Sequence, residues 1–186
     1  MRRLVYQISL GETPAFYADC ISSVERYCDR LEIDHFIQTE PILKIRPVKS
    51  ARSENALRLG YLPIFEKENA FSYLDSYDQI AIIDADVFIR ESAPNIFDEL
   101  QGATFAGVLE RDMPLTPAYA GKVIKHSCGQ FSTLTDVNWD WQPHGAAYWN
   151  MGVMLFSSKL ADYLEGQTPK EFIERPEFER FVNGEG

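Results

Sequence analysis

Residues 79–88 read QIAIIDADVF, and this stretch decides the fold class of the chain. Residues 79–83, with an aliphatic run at residues 80–83, give the strongest strand signal in the chain, and two aspartates follow at residues 84 and 86. In an open parallel sheet, ligands bind beyond the carboxyl ends of the strands. Side chains alternate along an extended chain, so Asp84 and Asp86 are expected to point the same way with the small Ala85 between them.

Two carboxylates at one strand end predict a metal site. They repel each other unless a cation joins them, and oxygen ligands of this kind suit Mg²⁺ or Mn²⁺. Such an ion can bridge a diphosphate and stabilise it as a leaving group. The alternative is that one aspartate caps the next turn while the other is solvated. A bare D-x-D triplet is common, but its place after an aliphatic strand favours the metal interpretation.

The residues around this stretch predict an α/β domain. Residues 4–9 and 33–37 have strand character and flank a helical pattern, which makes a βαβ opening with parallel strands and helices on both faces of the sheet. A helical pattern resumes at residues 53–74 with a break near Pro63, and residues 105–109 and 152–156 predict further strands. Residues 111–143, rich in Pro, Gly, Thr, Asp and Trp, predict a long irregular loop. Residues 1–186 are expected to form one domain.

Composition excludes several classes of function. The formal net charge of −10 argues against an electrostatically driven nucleic-acid binder. No apolar stretch is long enough to cross a bilayer, so the chain is not expected to be an integral membrane protein. The three cysteines form no C-x-x-C pair, which suits reduced thiols and a cytoplasmic location.

The D-x-D segment also carries a family resemblance. Residues 77–89 resemble the D-x-D block of the retaining glycosyltransferases that include glycogenin and the bacterial lipopolysaccharide galactosyltransferases (family 8-like), and residues 93–100 resemble that family's N-I-x-x-L helix start. The resemblance runs in order over about residues 4–160. It implies a GT-A (Rossmann-like) fold in which Asp84 and Asp86 bind Mn²⁺, which in turn holds the diphosphate of a UDP-sugar.

A second block, residues 149–157, reads WNMGVMLFS and resembles the family's F-N-x-G-V-x-L-x-N strand. The resemblance implies that Asn150 contacts hydroxyls of the donor sugar and that Gly152 lets the backbone approach the ligand. The alternative is a buried strand in which Asn150 starts a turn and Gly152 forms a bulge.

Two further residues are assigned to the donor site by the same resemblance. Lys67 lies 17 residues before Asp84, where the family places a cation; the alternative is a solvated helix face, since glutamates flank it. Tyr17, followed by Ala18, matches the end of a family turn whose tyrosine stacks on uracil, although it could equally be a core-facing aromatic. Ser9 and Ala85 complete the predicted donor set.

An acceptor site is predicted less directly. Trp139 and Trp141 could stack on an acceptor sugar, or they could simply pack down the loop that contains them. His144 lies close in sequence to Asn150. His35 is interpreted as structural. His126 and Cys128 lack the second pair that a metal site needs.

One departure from the family concerns the metal shell. The family follows its second block with D-Q-x-x-x-N and then a metal-binding histidine, and residues up to Gly186 contain neither feature. We therefore expect either a chain truncated at its C-terminus or a metal shell completed differently. No residue identifies itself as a catalytic nucleophile or base.

The sequence thus predicts a metal-dependent glycosyltransferase that moves a hexose from a nucleoside-diphosphate sugar, with UDP the expected nucleotide, to an acceptor hydroxyl of unknown identity. Retention of configuration is implied by the resemblance alone. One alternative is a non-catalytic module that binds a nucleotide sugar or a partner. A second is a phosphatase of the haloacid-dehalogenase type, but its D-x-D normally follows the first strand, whereas Asp84 follows a βαβ unit.

Overall fold

The computed structural model describes residues 1–46, 54–114, 116–132, 134 and 149–183. Its centre is one five-stranded sheet with the order β2-β1-β3-β5-β4. The strands are β1 (Arg3–Ile8), β2 (Asp34–Gln38), β3 (Gln79–Ile83), β4 (Phe105–Leu109) and β5 (Trp149–Ser157).

Strand direction makes the sheet mostly parallel. β1 pairs in parallel with β2 and β3, whereas β5 pairs antiparallel with both β3 and β4. Four strands therefore run the same way, and their carboxyl ends meet at one edge of the sheet. The α/β class and the mostly parallel sheet are confirmed.

The connections between strands are helical. The α-helices are α1 (Phe16–Leu31), α2 (Glu54–Leu59), α3 (Pro117–Phe131), α4 (Ala161–Leu164), α5 (Pro169–Ile173) and α6 (Glu179–Asn183). Within the described residues, 3₁₀ segments accompany them at Pro63–Tyr73, Ile96–Leu100, Glu110–Asp112, Ser158–Leu160 and Pro176–Phe178. Across the ranges that the structure describes, no helix combines the length and apolar character needed to cross a membrane.

Both faces of the sheet are covered. On one face, Val24 and Tyr27 of α1 pack with Val5 and Ile83 of the sheet. On the other face, Ala70 of the Pro63–Tyr73 segment packs in a cluster with alternate residues of β1 and β3. The central strands are therefore buried on both sides, which explains why β3 is a continuous aliphatic run and not an alternating one.

Glu66 anchors the Pro63–Tyr73 segment to the sheet edge. Its buried carboxylate accepts hydrogen bonds from the backbone N–H groups of residues 42–44 at 2.7–3.0 Å and from Gln38 Nε2 at 2.9 Å. A buried carboxylate is stable only when its oxygens are satisfied in this way. The anchor matters for the site because it fixes the neighbouring residue, Lys67.

One prediction about the fold was wrong. Residues 111–143 were expected to be irregular, but α3 occupies Pro117–Phe131. Thr116 caps the helix, since its Oγ1 accepts a hydrogen bond from Tyr119 N at 3.3 Å, and Pro117 stands at the first helical position. Proline breaks a helix interior but favours a helix start, because the N–H it lacks would be unpaired there anyway.

Candidate functional site

A cleft of about 350 Å³ lies at the carboxyl ends of β1 and β3. Four residues assigned to the site line it: Ser9 after β1, Tyr17 of α1, Lys67 of the Pro63–Tyr73 segment and Asp84 after β3. The cleft is large enough for part of a nucleotide-sized ligand and sits where open α/β sheets bind ligands.

The backbone of Asp84 is held on three sides. Its N–H donates to Gly152 O at 2.8 Å, and its carbonyl accepts from Val87 N at 3.1 Å and from Gln7 Nε2 at 3.3 Å. The buried Gln7 is held in turn by His35, whose Nε2 lies 2.9 Å from Gln7 Oε1. Burial lowers the pKa of His35, so the ring is neutral at pH 7 and donates to that amide oxygen. His35 was expected to be structural, and its role is to hold Gln7, which in turn holds the Asp84 carbonyl.

Asp84 and Asp86 flank the buried Ala85 and face the same tyrosine. The pKa of Tyr17 is raised, chiefly by burial and then by the negative charges of Asp86 and Asp84. Asp86 is exposed, whereas Asp84 is partly buried in the cleft. The two carboxylates therefore create a negative field at one point of the sheet edge.

Asp84 and Asp86 offer carboxylate oxygens that suit a hard divalent cation, but two side chains supply only part of its ligand shell. Within residues 1–46, 54–114, 116–132, 134 and 149–183, no three His, Cys, Asp or Glu side chains come together as a complete metal site. An ion held by Asp84 and Asp86 would take its remaining ligands from water or from a bound phosphate, as Mg²⁺ commonly does.

Lys67 lies deep in the cleft. Its ammonium forms an ion pair with the Asp84 carboxylate and donates to Met151 O at 2.9 Å. Only 15% of its side chain is exposed, so the solvated helix face considered from the sequence is excluded. From the sequence, Lys67 was predicted to bind the donor, but its contact with Asp84 was not predicted. A cation here can meet a phosphate, and it also competes with a metal ion for Asp84.

Asn150 and Gly152 lie beside Asp84, although neither residue lines the cleft. Asn150 Oδ1 accepts from Gly152 N at 2.8 Å, and Gly107 pairs with Met154 whereas Val108 pairs with Asn150, so residues 151–153 form a bulge in β5. The bulge of the alternative interpretation is thus present, whereas Asn150 lies within β5 and starts no turn. A Cβ atom on Gly152 would lie 2.9 Å from Asn150 Oδ1 and 3.5 Å from Asp84 Oδ2. Glycine therefore leaves the space that these side chains occupy.

Sequence reasoning missed Glu110. It follows β4 just as Asp84 follows β3, its side chain is buried, and its Oε1 accepts from Asn150 Nδ2 at 2.9 Å. Both ends of the Asn150 amide are therefore engaged within the chain. An acidic residue directly after an apolar strand was the available signal. The predicted acceptor residues Trp139, Trp141 and His144 lie outside the described residues.

Comparisons with known proteins do not assign this chain to a family. No protein-family model matches the chain, and a search of curated proteins found no match. Among solved structures, the chain is similar to a glycosyltransferase involved in the glycosylation of the major capsid of PBCV-1. The identity is 14% and the TM-score 0.42, with 97% of this chain and 77% of that chain covered. At this level of similarity the match assigns neither an activity nor site residues to this chain.

Proposed function

We propose that this chain is a metal-dependent glycosyltransferase that binds a nucleoside-diphosphate sugar, with UDP the expected nucleotide, and transfers its hexose to an acceptor hydroxyl. The observation that supports this best is the convergence of Asp84, Lys67 and Tyr17 in one cleft at the carboxyl edge of a mostly parallel sheet. Asn150 and Gly152 stand beside it. A diphosphate needs positive charge and an aromatic base needs a stacking surface, and these residues offer both.

Each residue has a role in this proposal. Asp84 and Asp86 would hold Mn²⁺ or Mg²⁺, and such an ion supplies Lewis-acid stabilisation of the diphosphate as it leaves. Tyr17 would stack on the base, with Ser9 and Ala85 forming the adjoining surface. Asn150, held by Glu110, would orient the sugar. Retention of configuration follows only from the family resemblance, and no residue is assigned as nucleophile or base.

The ion pair of Lys67 with Asp84 predicts coupled binding of metal and donor. Without a donor, the ammonium neutralises one carboxylate and opposes the metal. A bound diphosphate would offer Lys67 another partner, so that Asp84 would be free to hold the metal ion together with Asp86. Each ligand alone should therefore bind weakly, and the two together should bind well.

Asp86→Asn tests the metal assignment. Asp86 is exposed, so the fold should tolerate this change. In calorimetric titrations of UDP with and without Mn²⁺, the wild type should bind UDP more tightly when Mn²⁺ is present, and Asp86→Asn should lose that gain. Asp162→Asn, the same charge change at another exposed residue, in α4, is the control and should retain it. An unchanged Mn²⁺ dependence in Asp86→Asn would mean that the metal, if required, is held elsewhere.

Turnover separates an enzyme from the binding module considered as the alternative. A glycosyltransferase should slowly hydrolyse UDP-sugar to UDP and free sugar when no acceptor is present, and Asp86→Asn should abolish this hydrolysis. Metal-dependent UDP-sugar binding with no hydrolysis and no transfer to any hydroxyl acceptor in a screen would favour the non-catalytic module.

A further inference from the structure

A second pair of adjoining cavities lies beyond the D-x-D turn, on the α1 side of the sheet. The larger cavity, of about 560 Å³, is walled mainly by apolar side chains such as Val87, Phe88 and Val153. The smaller one, of about 240 Å³, is lined by three arginines, Arg26, Arg30 and Arg90. Tyr27, Ile89 and Arg90 line both, so the two cavities adjoin each other.

The walls of this site are fixed by hydrogen bonds. Ile89 N donates to Ser23 Oγ at 2.9 Å, which ties the loop after Asp86 to α1. Tyr27 Oη donates to Pro94 O at 3.0 Å and accepts from Ile96 N at 2.8 Å. The concave shape therefore exists before any ligand binds, which reduces the entropic cost of binding.

The three arginines are unusual in a chain with a formal net charge of −10. Arg30 donates to Ala93 O at 2.7 Å and lies over the Tyr27 ring, 5.5 Å from its centre, so its position is defined. Among the described residues, the side chains of Arg26 and Arg90 have no hydrogen bond or ion pair. One carboxylate, Glu91, also lines the arginine cavity. A positive balance remains, with guanidinium N–H groups available to an anion.

Apolar surface is exposed at the same place. Phe88 is 58% exposed although it borders the larger cavity. The charged residues that line this cavity are Arg90 and Glu99, and both are exposed. An apolar cavity that opens onto guanidinium groups is complementary to a molecule with an apolar body and an anionic end.

We propose that the two adjoining cavities bind an amphipathic phosphate ester, with its apolar group in the larger cavity and its phosphate on Arg26, Arg30 and Arg90. Phosphate is favoured because guanidinium groups bind its oxygens in bidentate fashion and several of them can share one phosphate. The site is separate from the donor cleft, although Ile83 lines both. The inference does not depend on the chain being a glycosyltransferase.

The probe is n-octyl phosphate, titrated below the concentration at which it forms micelles, with octanol and inorganic phosphate as partial ligands. Saturable binding of octyl phosphate is expected, with each partial ligand at least about tenfold weaker, because each satisfies only one half of the site. The double variant Arg26→Gln/Arg90→Gln should weaken binding about tenfold or more, and Phe88→Ala should weaken it too. Arg46→Gln is the control for charge, since Arg46 lines neither cavity, and should leave binding unchanged.

Three results would overturn the proposal. One is the absence of saturable octyl phosphate binding. Another is binding that the double arginine variant does not weaken, or that inorganic phosphate matches in affinity. The third is capture by vesicles of phosphatidylcholine and phosphatidic acid without binding of monomeric octyl phosphate, which would assign the arginines and Phe88 to a membrane surface instead.

Discussion

Glu68 allows a quantitative test of the structure through the pH dependence of stability. Its Oε2 atom is buried with no hydrogen-bond partner among the described residues, beside an apolar cavity whose walls include Phe65, Phe71 and Phe105. This burial raises the pKa of Glu68 from 4.5 to about 8. The carboxyl is therefore protonated in the folded protein at pH 7 and ionised in the unfolded chain.

The sign and size of the effect follow from linkage. Between the two pKa values the folded protein binds one proton more than the unfolded chain, so stability falls as pH rises. The slope is about 1.4 kcal/mol per pH unit, which gives about 3 kcal/mol between about pH 5.5 and about pH 7.5. Below the unfolded pKa, both states are protonated and the effect disappears.

The variant Glu68→Gln is neutral at every pH and should lack this slope. Its free energy of unfolding, measured in urea by circular dichroism at a series of pH values, should rise relative to wild type by about 3 kcal/mol across that window. The control is Glu171→Gln: Glu171 is exposed, and hydrogen bonds from Thr168 lower its pKa, so its effect is confined to acid conditions. Parallel curves for wild type and Glu68→Gln would show that Glu68 titrates as a solvated carboxyl and would refute the reasoning.

Three further predictions concern the site and its support. Gly152→Ala should abolish Mn²⁺-dependent UDP binding in calorimetry, because the added methyl group displaces the side chains beside it. The control is Gly121→Ala, since Gly121 lies in α3 with open space around it. This variant should raise the free energy of unfolding by about 0.5–1 kcal/mol and leave UDP binding intact. Glu66→Gln should lower the free energy of unfolding in urea by about 2–4 kcal/mol, since an NH₂ group replaces an acceptor of buried N–H groups; a loss below about 0.5 kcal/mol would contradict the anchoring role. Lys67→Met should tighten binding of Mn²⁺ alone, because no ammonium then competes for Asp84, yet weaken UDP-sugar binding by about 1.5–3 kcal/mol. Equal Mn²⁺ affinities for the variant and wild type would show that the ion pair does not oppose the metal.

Short apolar strands were predictable from the sequence, whether buried on both faces like β3 or at the sheet edge like β4. The bounds of β3 and β4 agree with prediction to the residue, and the position of Asp84 at a sheet edge followed from the aliphatic run before it. Burial on both faces forces such a run, so the signal lies within five consecutive residues. The parallel pairing of β1 and β2 followed from the βαβ opening, because the helix returns the chain to the end of the sheet at which β1 begins.

The contacts that make the site needed the tertiary structure. Lys67 forms an ion pair with Asp84, and Glu110 accepts a hydrogen bond from Asn150, which lies 40 residues further along the chain. No local sequence pattern predicts either contact. The antiparallel direction of β5 was equally hidden, because a buried strand shows the same aliphatic run in either direction. The periodicity and composition of a segment indicate which of its side chains are buried in the fold. Which segments become neighbours depends on how the whole chain packs, and that decided which charges share the cleft.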